Sequence, residues 1–135
     1  MKRALFLAAA ALLGATPALA AEAWQFIIQN KSGVKIYVDP ASIQRDGSKI
    51  TFWQKWDLTE LDKPDSDNAS TAKYHAVIDC ASRQQMLLAA IKFDSDGKMI
   101  KSFEWPADKP DWRAIPEGSV GATLADKMCN GTFVS

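Results

Sequence analysis

Apolar and polar side chains alternate in six stretches of the chain, and a period of two is the mark of strands with one buried face. In residues 24–29, Trp24, Phe26 and Ile28 fall on one side. In residues 34–39, Val34, Ile36 and Val38 face one way and Lys35, Tyr37 and Asp39 the other, before Pro40 removes an amide donor and ends the run. After an Asp46-Gly47 turn, residues 48–58 place Ile50, Phe52, Trp56 and Leu58 on the apolar side, interrupted only by Gln54. Thr51, Trp53, Lys55 and Asp57 take the opposite side. Residues 71–81 alternate so that Tyr74, Ala76, Ile78 and Cys80 point inward and Lys73, His75, Val77 and Asp79 outward. Residues 84–94 and 99–104 are joined through Ser95-Asp96-Gly97-Lys98, an Asp-Gly hairpin turn.

The intervals break this period in different ways. Residues 59–70 carry Asp62, Asp65 and Asp67 around Pro64 and read as a polar loop, expected to be the least ordered segment. Residues 105–116 hold three prolines and two tryptophans without a period, which predicts an ordered loop laid across the domain rather than a seventh strand. Near the C-terminus the spacing changes to that of a helix: Val120, Leu124, Ala125, Met128 and Cys129 form one stripe, Ser119 can cap it, and Asn130-Gly131 can stop it. The expected fold is α+β, a six-stranded antiparallel sheet with a C-terminal helix on one face.

The first residues belong to none of this. Lys2 and Arg3, a short apolar run from Ala4 to Gly14, and Ala18-Leu19-Ala20 have the layout of a secretory signal. Cleavage is expected between Ala20 and Ala21, leaving one domain over residues 21–135. Gly14 and Pro17 interrupt the run well short of the ~20 residues a membrane-spanning helix needs. No transmembrane segment is therefore expected in the mature chain. The first cysteine in the chain is Cys80, so none follows the apolar run to carry a lipid anchor, and a periplasmic or secreted product is expected.

Losing Lys2 and Arg3 leaves 14 basic against 16 acidic residues, a net charge of −2, which argues against nucleic-acid and strongly anionic membrane partners. Two cysteines in an exported domain read as a disulfide, Cys80 to Cys129. Such a bridge joins the inward side of a strand to the helix stripe and fastens the helix to the sheet. Zinc is the sharper alternative, but two thiols and one histidine fall short of a four-ligand site.

Nothing in the sequence supplies a catalytic set or a cofactor site. His75 is the sole histidine, sits on the outward side of its strand beside Lys73 and Asp79, and is expected to be solvated. Asp94-Ser95-Asp96-Gly97 begins like a calcium loop, yet its twelfth position is Trp105, so a hairpin turn is the better reading. The conspicuous feature that remains is aromatic: of five tryptophans, Trp53, Trp105 and Trp112 lie outside the clearest core pattern. The plain expectation is that all five pack inside or pin loops. The alternative is recognition, since tryptophan buries a large rigid area while keeping one donor.

Several landmarks taken in order resemble the bacterial surface-adhesin protein E family: Ile36-Tyr37-Val38-Asp39 with Ser42-Ile43, Thr51-Phe52-Trp53, Ile78-Asp79-Cys80, Phe93 to Gly97, and Ile115 to Ser119 with Cys129. The resemblance implies the same disulfide-tethered sheet and helix. It also implies a non-enzymatic adhesin for host extracellular-matrix or serum proteins such as vitronectin, laminin or plasminogen, with self-association. Two sites fit the residues: an outward face bearing Trp53, Lys55, Lys73 and His75 that binds a protein, or a concavity between sheet and helix that serves a structural or small-ligand role in the periplasm. A pocket there with Trp53 buried in it is the expected sign of the second.

Overall fold

The computed structural model describes residues 23–133. The expected signal and its cleavage point, Ala20 and Ala21, lie outside them. Eight strands form one antiparallel sheet: β1 (Gln25–Gln29), β2 (Lys35–Val38), β3 (Gln44–Asp46), β4 (Lys49–Asp57), β5 (Thr71–Asp79), β6 (Gln84–Phe93), β7 (Met99–Glu104) and β8 (Arg113–Ala114). Six of them match the six stretches of alternation and run in the order β1-β2-β4-β5-β6-β7, while β3 pairs with β4 and β8 with β6. The two strands beyond the six have three and two residues, too few to show a period. Thus the proline-rich loop after β7 does return to the sheet once, where Gln84 pairs with Ala114 and Gln85 with Arg113.

The apolar side of the strands becomes a core because helix α1 (Val120–Cys129) lies on it. Ala122, Leu124, Ala125 and Met128 from the helix join Phe52 and Ile78 from the sheet in one buried cluster, and Cys80 and Cys129 pack against it. Their disulfide has its Cα atoms 5.8 Å apart and closes a separation of 49 residues. In the chain-entropy picture a loop of that length contributes about 4 kcal/mol. The Ser119 hydroxyl accepts from the Ala122 amide at 3.1 Å, satisfying one of the helix's free N–H groups, and Asn130 caps the other end. A second cluster, Val34, Ile36, Leu58, Ala69 and Ala72, continues the core toward the other end of the sheet.

Three sequence expectations need correcting. In β1, Phe26 pairs with Tyr37 but Ile28 pairs with Ile36, so Ile27 is an extra, bulged residue. Ile27 and Ile28 therefore both pack on the helix side, one against each cluster, and Phe26 turns to the other face, 52% exposed. Next, the polar loop before β5 is tied down. The Asp65 carboxylate accepts from the amides of Asp67 and Ala69, and Lys92 reaches both Asp65 and Asp67 at 2.9 and 3.0 Å. Burial pushes the Asp65 carboxyl up, but the Lys92 ammonium and the two amides hold it below the usual carboxylate value. Finally, none of the five tryptophans is fully buried: Trp56 packs against the second core cluster as expected, while Trp105 is exposed and Trp24, Trp53 and Trp112 are half-buried.

Candidate binding surface

One face of the sheet carries the helix, and among the described residues no helix covers the other. On that open face Trp53 of β4 lies directly opposite His75 of β5, and Lys55 opposite Lys73, so the four residues singled out by alternation form a two-by-two block. Trp53 is held on both sides of its strand: it pairs with His75 in the β4–β5 ladder, and on the other edge its carbonyl accepts from the Asp39 amide at 3.1 Å. Where β2 has ended and β3 has not begun, Ser42 on the 3-10 turn Pro40–Ser42 donates to the Asp39 carbonyl at 2.6 Å and accepts the Trp53 amide at 2.9 Å.

His75 is only partly solvated, where the alternation suggests an open side chain. Its ring stacks on Trp53 with centroids 4.7 Å apart and planes within 5°, and the resulting loss of water pushes its pKa below the ordinary 6.5. The two lysines sit over rings as well. Lys55 Nζ is 4.7 Å from the Tyr37 centroid and 5.3 Å from that of Trp24; Lys73 Nζ is 5.4 Å from Trp24 and 5.3 Å from Phe93. Like charges directly opposed across a strand pair are unfavourable by several tenths of a kcal/mol, roughly what one exposed cation–π contact returns. Lys55 makes no ion pair among the described residues, so its charge remains available to a partner. Phe26, edge-on to Tyr37 at 5.6 Å, extends the aromatic surface.

Sequence reasoning found the central four residues and assigned Tyr37 to the correct side. It placed Trp24 and Phe26 on the core side because a bulge at Ile27 leaves no trace in the alternation. Trp112 also borders a lysine, with Lys49 Nζ 5.6 Å from its ring.

The helix-covered face offers a second concavity, a cleft of about 490 Å³ bounded by Gln54, Trp56 and Tyr74 of the sheet, Leu124 of α1, and Trp105. Trp53 is not part of it, because it projects from the opposite side of β4. The combination of a pocket with Trp53 buried in it does not occur. Among the described residues no cluster of three or more histidine, cysteine or acidic groups is placed to hold a metal. Asp94 instead spends its carboxylate on the turn, accepting from the amides of Asp96 and Lys98 at 2.9 Å each. No helix among the described residues is long and apolar enough to cross a membrane.

With this geometry in hand, the chain can be set beside known proteins. The fold is similar to that of Haemophilus influenzae protein E in its crystal form II, with a TM-score of 0.56 and 12% identity over 83% of this chain and 90% of that one. A second structure of the same protein gives 0.55 and 14% identity over 82% and 85%. Protein E from non-typeable Haemophilus influenzae gives 0.51 and 14% over 79% and 75%. Identities this low carry the fold and not the binding chemistry. No curated protein sequence matches significantly. The surface-adhesin protein E family model matches residues 24–130, from the tryptophan of the open face to the cap of the disulfide-bearing helix, and the chain belongs to that family.

Proposed function

We propose that this protein is an exported, non-enzymatic adhesin-type module that binds a protein partner through the open face of its sheet. One observation carries the reading: Trp53 stacked on His75 beside Lys55 and Lys73, each lysine bordered by aromatic rings. Rigid aromatic surface next to cations is the composition of recognition hot spots. It suits an acidic stretch of a partner that also presents apolar or aromatic side chains. Family membership supports adhesion in general and export with it. The occupants in keeping with that membership are host extracellular-matrix or serum proteins.

The arrangement offers little to catalysis. His75 spends its ring face on Trp53, and both cysteines are bonded to each other. Self-association belongs to a different surface: β7 is an edge strand, all six of its residues are exposed, and Met99 and Phe103 are 62% and 52% open.

The test is binding of the mature protein to immobilised vitronectin, laminin and plasminogen, with fractionation of the producing cells. Saturable binding that weakens as salt is raised, by protein reaching the cell exterior, supports the reading. No binding to any of the three together with a purely periplasmic location overturns it.

A further inference from the structure

The cleft under the helix has a chemistry of its own, independent of the open face. Its walls are mostly apolar and aromatic: Trp56 and Tyr74 meet edge-on with centroids 5.0 Å apart, and Trp105, itself 39% exposed, stands at the side near Leu124. About 490 Å³ lies within the range of roughly 300–1,000 Å³ occupied by small-molecule sites. The helix leaves room for it at Gly121. A methyl group built there meets nothing closer than the Ile115 Cγ2 at 3.5 Å, so tight packing of helix on sheet does not require the glycine.

Three side-chain amides line the cleft, Asn30, Gln54 and Gln85, and of these Gln54 is the buried one. Gln54 is the single buried polar residue among those described, with 7% of its surface exposed. Its Oε1 accepts from the indole Nε1–H of Trp56 at 2.8 Å, and because indole can only donate, the amide orientation is fixed. The Nε2 amino group, which can donate two hydrogen bonds, has no partner among the described residues. No fully buried side-chain nitrogen or oxygen lacks a partner, so this NH2 keeps its remaining surface on the cleft that Gln54 lines. Water can reach this NH2 through the cleft, and a ligand oxygen that replaces the water makes a neutral hydrogen bond in an otherwise apolar setting.

Charge narrows the class further. Among the described residues, the only ionisable side chains on the cleft besides Tyr74 are Asp111 and Arg113, which pair with each other at 2.9 Å, with 60% and 74% of their side chains exposed. The interior thus supplies no counter-charge, and burying a carboxylate or ammonium there is unfavourable. We infer that the cleft is a binding site for a small, neutral aromatic molecule whose carbonyl oxygen accepts from Gln54 Nε2. It is a site separate from the protein-binding face and does not depend on it.

A matched pair of probes tests this in the 15N-labelled mature protein by NMR: acetophenone, and α-methylstyrene, in which a methylene group replaces the carbonyl oxygen. Acetophenone is expected to shift the Gln54 side-chain amide and the Trp56 and Trp105 indole signals saturably while leaving the Trp53 indole in place. α-Methylstyrene is expected to bind about three- to tenfold more weakly, the value of one neutral hydrogen bond. Gln54→Leu should erase the preference, and Gly121→Leu should block both probes while the circular dichroism spectrum is retained. Equal binding of the two probes, a preference that survives Gln54→Leu, shifts centred on Trp53, or Trp105 shifts that follow protein concentration without probe would each overturn the assignment.

Discussion

Phe52 and Trp53 are neighbours in the chain and opposites in the structure. Phe52 has no exposed surface and lies under the helix among Val38, Ala76 and Leu124. Trp53 is partly open, stacked on a histidine and set beside two lysines. The same strand therefore offers two kinds of aromatic environment, one closed by α1 and one left without such a layer. The difference separates what the protein needs in order to fold from what it holds out to others.

The largest contrast should come from emptying each site in turn. Phe52→Ala is expected to lower unfolding stability by about 3–5 kcal/mol in denaturant titration, because it leaves a cavity in a closed core. Trp53→Ala should cost only about 1 kcal/mol, the scale of one lost stacking contact. Comparable losses at the two positions would erase the distinction between the faces.

Removing the tether comes next in size. Replacing both Cys80 and Cys129 by alanine should destabilise by about 2–4 kcal/mol, since the bridge restrains a loop of 49 residues in the unfolded chain. The open face, built on β1, β2, β4 and β5 without the helix, should keep its Trp53–His75 stack in the variant. Loss of the upfield ring-current shifts of the His75 ring protons in the proton NMR spectrum would show instead that the two faces depend on one another.

A smaller effect should follow pH. The ordinary histidine value is 6.5 and burial against Trp53 holds His75 below it. Above pH 6.5 the imidazole is neutral in folded and unfolded chains alike, and its contribution is fully present. As pH falls below 6.5 the unfolded chain takes up the proton first, so stability declines until the folded His75 is protonated too. His75 is the one histidine in the chain, which makes the effect separable: a His75→Phe variant should lack this component of the decline between pH 6.5 and 5.

How far the sequence disclosed all this depended on range. Alternation is a local signal, and it located Ile36, Phe52 and Ile78 on the buried side and Trp53, Lys55, Lys73 and His75 on the other, although Val77, read as outward, is buried. The helix spacing is complete within a short stretch, and the cysteine pair, though 49 residues apart, needs no pattern between its members because the chain has only two cysteines; together they disclosed how α1 is fixed. What escaped was either too short or too long. β8 has two residues and no period, and the one-residue bulge at Ile27 exchanged the sides of Trp24 and Phe26. The cleft is assembled from residues as distant as Gln54, Trp105 and Leu124, and no local pattern links them. Gln54 did stand out as the break in an apolar face, yet only its free amide beside the cleft explains what such a break can do.

The most direct test of the central claim pairs two adjacent residues that face opposite ways. Binding of the mature protein to an immobilised matrix or serum protein is measured for Trp53→Ala and Gln54→Leu alongside the unaltered chain. The open-face account predicts that Trp53→Ala weakens binding by about tenfold or more, as expected for a tryptophan hot spot, while Gln54→Leu leaves it unchanged. Undiminished binding by Trp53→Ala, or a loss confined to Gln54→Leu, would contradict it.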